Sequence, residues 1–175
     1  MTVAPRLTQT YVQWPYRVDL EDGRTNIGAI DLTKEPERLN EIHELDNMPI
    51  LKKRIGLLNS ENNGVMTLGI LCEQSPDDNI WYSCFEFGFR PDYDYSAINL
   101  NELDSLFYNY LSSTQGDGFS KALQPHLIWE EQNVTLYSNK PSHMYSVFLP
   151  ASEQAHIEQG FAHLVDWLRV EFAVS

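Results

Sequence analysis

The chain has 175 residues, 42% of them hydrophobic and 12% aromatic, and carries a net charge of −13. That length suits one domain able to bury roughly 70% of its unfolded surface, and the apolar content excludes disorder as the default state. Two cysteines are too few for a disulfide framework, no apolar run approaches the ~18 residues of a membrane span, and the acidity disfavours nucleic acid and anionic lipid as partners.

Charge is unevenly spread. Residues 1–60 hold nine acids and eight bases, whereas residues 61–140 hold twelve acids and three bases, and between Arg54 and Lys121 only Arg90 faces ten acids. The opening MTVAPRLTQTYVQWPYR has no continuous apolar core, so we expect no signal peptide and a cytoplasmic location. Asn133-Val134-Thr135 fits a glycosylation pattern that has no use in that setting.

In chain order, Tyr11 to Leu20 and TNIGAIDL (25–32) read as extended runs around Asp22-Gly23, a hairpin signal because glycine supplies the positive φ of the turn. Pro15 places the first run at a sheet edge. Thr33 is the expected N-cap of a helix with Pro36 and two acids, Glu35 and Glu37, in its first turn and Leu39, Ile42 and Leu45 on its buried stripe. After Asn47-Met48-Pro49 a short second helix, 50–58, turns Lys52, Lys53 and Arg54 outward, and 59–64 reads as a polar turn.

VMTLGILCE (65–73) and NIWYSCFEFGF (79–89) read as two strands joined by SPDD. The second alternates Trp81, Ser83, Phe85, Phe87 and Phe89 against Tyr82, Cys84 and Glu86, and four aromatics on one face make it core. Matching apolar faces sets Met66, Leu68, Ile70 and Cys72 beside Phe85, Phe87 and Phe89, with Cys84 on the opposite face from Cys72. RPDYDYS (90–96) then leaves the sheet at Pro91 as a loop that projects two acids and two tyrosines.

Asn99 with Glu102 resembles a capping box ahead of a helix with Leu100, Leu103, Phe107 and Tyr110 inward, stopped by STQGDG (113–118). LIWEE, VTLYS and HMYSVFL read as three strands, with Gln132-Asn133 and 139–142 as turns. A helix from Glu153 to Phe172 follows, carrying Ile157, Phe161, Leu164, Leu168 and Phe172 on one face. Strands that come in pairs before helices imply an α+β fold: one domain over residues 1–175, with a mainly antiparallel sheet of six or seven strands and three or four packed helices.

No catalytic group stands out. His156 and His163 share a helix face with Gln159 and Asp166, but two turns span roughly 10 Å, too far for one ion. His43 lies between acids, and His126 and His143 open what read as adjacent strands, without a local thiol or carboxylate at ligand spacing. Gly116-Asp117-Gly118 lacks the preceding strand of a phosphate loop. We therefore expect no metal and no cofactor.

The remaining feature is an acidic and aromatic exposed set: Asp77 and Asp78 in one turn, Asp92, Tyr93, Asp94 and Tyr95 in a second, Glu130 and Glu131 at a third. Tyrosine offers large contact area at low entropic cost, and carboxylates suit lysine- and arginine-rich surfaces. The expectation is a non-enzymatic binding protein with a basic protein partner, such as an inhibitor or immunity protein that neutralises a nucleic-acid-directed bacterial toxin by capping its active site. The alternatives are an adaptor or chaperone, and a small-ligand protein or enzyme with a pocket lined by Trp81, Trp129 and Tyr145. Purified protein is expected to carry no stoichiometric zinc; elemental analysis finding about one tightly held ion per chain would revive a metalloenzyme.

Overall fold

The computed structural model describes residues 3–5, 12–15, 30–137 and 139–175. Four strands carry the sheet: β3 (Val65–Gln74), β4 (Trp81–Phe89), β5 (Ile128–Leu136) and β6 (Lys140–Phe148). Two short pieces, β1 (Ala4–Pro5) and β2 (Val12–Trp14), both run parallel to β5 on the side away from β6. The order is β1-β5-β6-β4-β3, with the four long strands antiparallel to their neighbours. Four helices accompany them: α1 (Pro49–Ser60), α2 (Leu103–Gln115), α3 (Asp117–Leu123) and α4 (Gln154–Glu171). The expected α+β fold with a mostly antiparallel six-stranded sheet is thus the one observed. The expected hairpin around Asp22-Gly23 falls largely outside the described residues.

The core forms on the odd-numbered face of β4. Phe85, Phe87 and Phe89 are fully buried there, and Ile157, Phe161, Leu164 and Leu168 of α4, with Phe172 just beyond it, are buried in the same cluster. Each such side chain contributes about 1.5–3 kcal/mol through burial. Trp167, also fully buried, meets the rings of Phe107, Trp129 and Phe172 at 5.6, 6.3 and 5.6 Å.

The two expected strands LIWEE and VTLYS are one strand, because β5 pairs with β6 without a break from Ile128↔Phe148 to Leu136↔Lys140. The ladder outweighs the turn preference of Gln132-Asn133, and Glu130 and Glu131 are therefore strand residues, not turn residues. Thr33 does not cap an α-helix. Its N–H and Oγ1 donate to Asp31 Oδ1 at 3.1 and 2.5 Å, and the stretch that follows forms two 3₁₀ turns, Pro36–Glu41 and His43–Leu45. Ile42 separates them in extended geometry, which seats its side chain in the core. The expected second helix is α1, which begins one residue earlier, at Pro49, since the first helical position needs no N–H, and Glu158 accepts from Ile50 N and Leu51 N at 3.0 and 3.4 Å. Asn59, expected in a turn, is the buried last-turn residue that locks α1 to β3: its amide donates to Thr67 Oγ1 at 2.8 Å and accepts from Thr67 N at 3.0 Å.

A bulge at Leu68 corrects the expected register. Val65 and Thr67 pair with Phe89 and Phe87, the pairing skips a residue, and Ile70 and Cys72 then pair with Phe85 and Ser83. One extra residue inverts the alternation. Met66 and Leu68 consequently lie on the other face, in a second cluster with Trp14, Val134, Leu136 and Met144, where Trp14 Nε1 donates to Leu68 O at 2.9 Å. Cys84 pairs with Leu71, so the two cysteines do lie on opposite faces as expected.

Asn99 makes no side-chain cap; a 3₁₀ turn, Leu100–Glu102, precedes α2. Gly116, at φ +93°, ends α2 and lets α3 begin at the next residue. Phe87→Ala should cost about 3–5 kcal/mol, whereas Val170→Ala on the exposed side of α4 should stay within about 0.5 kcal/mol. Urea titration of both variants checks this; equal midpoint shifts would contradict the core assignment.

Candidate functional site

The helices pack on one face of the sheet. On the other, the Trp14 cluster occupies the end near Gly88, and the opposite end presents a row of apolar side chains. Leu71, Cys84, Phe148 and Ile128 lie in register across β3, β4, β6 and β5. Cys84 is buried and Phe148 half-buried, but Leu71 is 44% and Ile128 55% exposed. Tyr82, two residues nearer the β3–β4 hairpin on the same face, is 44% exposed and stands opposite Glu73.

The hairpin holds its acids in place. Asp78 accepts from Ile80 N and Tyr82 Oη, both at 2.9 Å, and these donors hold its carboxyl below the usual carboxylate range. The same carboxylate pushes the Tyr82 phenol up. Ser75 Oγ accepts from Asp77 N at 3.3 Å, Asn79 N donates to Ser75 O, and Ser75 N donates to Ile80 O. Asn79 takes φ +57°, which asparagine tolerates better than most side chains. The tip is therefore a fixed turn presenting two carboxyl groups.

Six of the nine described lysines and arginines are already engaged. Arg38 bridges Glu35 and Glu41, Arg54 meets Asp166 at 2.8 Å, and Arg169 grips Glu61. Lys52 lies 3.7 Å from Asp46 and Lys34 3.6 Å from Asp31. Arg90, the lone base of the acidic central stretch, donates from Nε and Nη2 to the carbonyls of Val65, Leu58 and Asn59 at 2.9–3.1 Å, which caps α1 and commits the side chain internally. Among the described residues no lysine or arginine forms an ion pair with Glu73, Asp77 or Asp78.

The eight residues singled out by sequence fall in four places. Asp77 and Asp78 sit at the hairpin, and Glu130 is half-buried on the open face, in the row of Ser146 and Glu86. Asp92, Tyr93, Asp94 and Tyr95 lie beyond the far end of β4, ~30 Å from the hairpin for a nine-residue strand. The two tyrosines do not project: their rings stack on Phe89 at 5.9 and 4.4 Å, because covering that ring buries more apolar surface than solvent exposure allows. Asp94 is exposed and accepts from Ser96 N at 3.0 Å. Asp92 borders a polar cleft of about 510 Å³ with Lys34, Arg90 and Tyr137. Tyr137 Oη donates to Asp31 Oδ2 at 2.5 Å. Glu131 faces the helix side and is bonded to His143 Nδ1, with Tyr95 edge-on to that imidazole at 5.7 Å. This Glu131–His143 pair was invisible in the sequence, since twelve residues separate the partners and only the β5–β6 register joins them.

The remaining histidines also differ from expectation. His126 and His143 do not open adjacent strand ends, because β5 and β6 are antiparallel and their starts lie at opposite edges. His163 is half-buried against Phe119, and burial lowers its pKa; His43 Nδ1 is 3.3 Å from Asp46. No group of three metal-ligating side chains occurs among the described residues, and no described helix is long and apolar enough to cross a membrane.

The alternative pocket lined by Trp81, Trp129 and Tyr145 does not form, because Trp129 and Tyr145 are packed in the core. Trp129 Nε1 donates to Tyr108 Oη at 3.1 Å, burial pushes the Tyr108 phenol up to about 12, and Tyr145 stacks on Phe87 at 5.3 Å. The buried Tyr145 hydroxyl has no hydrogen-bond partner among the described residues. Tyr145→Phe should therefore be neutral or stabilising by about 1 kcal/mol in thermal unfolding. A loss of more than about 1 kcal/mol would show that an ordered water satisfies that hydroxyl. Comparison with protein-family models, with curated proteins and with solved structures finds no match, so the functional reading rests on this geometry alone.

Proposed function

We propose that the protein is a non-enzymatic binding module that caps a basic protein partner with the hairpin end of its open sheet face. The kind of partner we favour is a nucleic-acid-directed bacterial toxin, to which this chain would be the inhibitor or immunity protein. The observation that supports the reading is the pairing of an exposed apolar row, Leu71 to Ile128, with acids that no described base neutralises, Glu73, Asp77 and Asp78.

A binding surface of this kind has a dry centre and a charged rim. Leu71, Phe148, Ile128 and the Tyr82 ring supply the centre; four strands at ~4.8 Å spacing make it roughly 15 Å wide. The acids supply the rim and the direction of approach. A groove built to hold phosphates is lined by lysine and arginine, and a row of fixed carboxylates can occupy it in place of the nucleic acid backbone. Because Asp78 is held by Ile80 N and Tyr82 Oη before any partner arrives, little ordering remains to be done on binding. An adaptor or chaperone would use the same face, and would differ in leaving its partner's activity intact.

Affinity capture from the source cells identifies the partner, and stopped-flow association then decides the reading. The paired change Asp77→Lys with Asp78→Lys should slow association by about 10–100-fold at low salt, with the difference shrinking as salt is raised. The same reversal at Asp92 and Asp94, at the other end of the sheet, should slow it less. Ile128→Glu should speed dissociation. Unchanged association for the hairpin variant, or a larger effect at Asp92 and Asp94, would overturn the assignment.

A further inference from the structure

A cleft of about 430 Å³ opens at the edge of the molecule between α3, the chain leaving β6 and the first two turns of α4. Its walls are apolar and include Ile80, Phe119, Leu123, Leu149 and Pro150. Gly160 helps to shape the cleft: a Cβ there would lie 2.6 Å from Leu149 Cδ2, so the glycine leaves room for the Leu149 side chain that forms the wall. The volume and lining match those of small-molecule sites, which are mostly apolar with few polar groups.

The polar groups present gather on one side. His126, His156 and Gln159 line the cleft, and all three are exposed. Unlike His43 and His143, which have Asp46 and Glu131 beside them, neither His126 nor His156 has a carboxylate partner among the described residues. Imidazole N–H donors are complementary to a carboxylate.

We propose that this cleft binds a small amphipathic carboxylate, with an apolar body against Phe119, Leu123 and Leu149 and its head group between His126 and His156. The cleft adjoins the β3–β4 hairpin through Ile80, and its test does not involve the protein partner.

Calorimetric titration of the full chain with octanoate and, separately, with octanol tests it. Octanoate should bind at least about tenfold more tightly than octanol, a difference of about 1.4 kcal/mol. The double variant His126→Ala, His156→Ala should lose that preference while still binding the alcohol. Ala122→Trp, on the exposed side of α3 at the cleft, should weaken both ligands about tenfold or more, and Ser152→Trp serves if the first variant does not fold by circular dichroism. Equal affinities for acid and alcohol in the unmodified chain would overturn the proposal, as would no measurable octanoate binding. Undiminished binding in a folded tryptophan variant would overturn it too, by placing the ligand elsewhere.

Discussion

The structure depends on the burial of one face of one strand. Phe85, Phe87 and Phe89 turn the odd side of β4 into a continuous aromatic surface, and α4 answers it with Phe161, Leu164 and Leu168. Because side chains alternate along a strand, this choice sends Tyr82, Cys84 and Glu86 to the opposite face. Every feature of the open face follows from that constraint: the helices lie on the aromatic side, and the other side is left to the Trp14 cluster at one end and to the apolar row at the other.

The bulge at Leu68 divides that second face. Without it, Met66 and Leu68 would lie beside the phenylalanines, and there would be no second cluster to receive Trp14. With it, the end of β3 near Val65 contributes to both cores while the end near the hairpin turns Leu71 and Glu73 outward. The exposed row is thus a consequence of sheet register, made from residues of four strands, and the hairpin acids frame it because β3 and β4 end there.

Electrostatics completes the picture. The chain has twelve bases against twenty-five acids, and the structure commits most of the described arginines to internal tasks. Arg90 satisfies three carbonyls, Arg169 ties α4 to Glu61 after α1, and Arg54 joins the same pair of helices through Asp166. The acids of the β3–β4 hairpin are left as the rim of an apolar patch, a charge arrangement suited to a basic partner.

Much of this was legible from residue order alone. The alternation of Trp81 to Phe89 defined the central strand, the spacing of Ile157 to Leu168 defined α4, and SPDD between two apolar runs defined the hairpin; each is a local pattern with a fixed period, and local periodicity is what sequence carries. The acidity of the hairpin was equally plain. What only the tertiary structure decided were the relations between distant residues: the extra residue at Leu68, the unbroken pairing that made Glu130 and Glu131 strand residues, the stacking that drew Tyr93 and Tyr95 onto Phe89, and the separation of Asp77–Asp78 from Asp92–Asp94 by the length of β4. Each depends on which backbone pairs with which and on how much apolar surface a contact removes from water. Those quantities are fixed across the sheet, between residues far apart in the chain, and no window of neighbouring residues contains them.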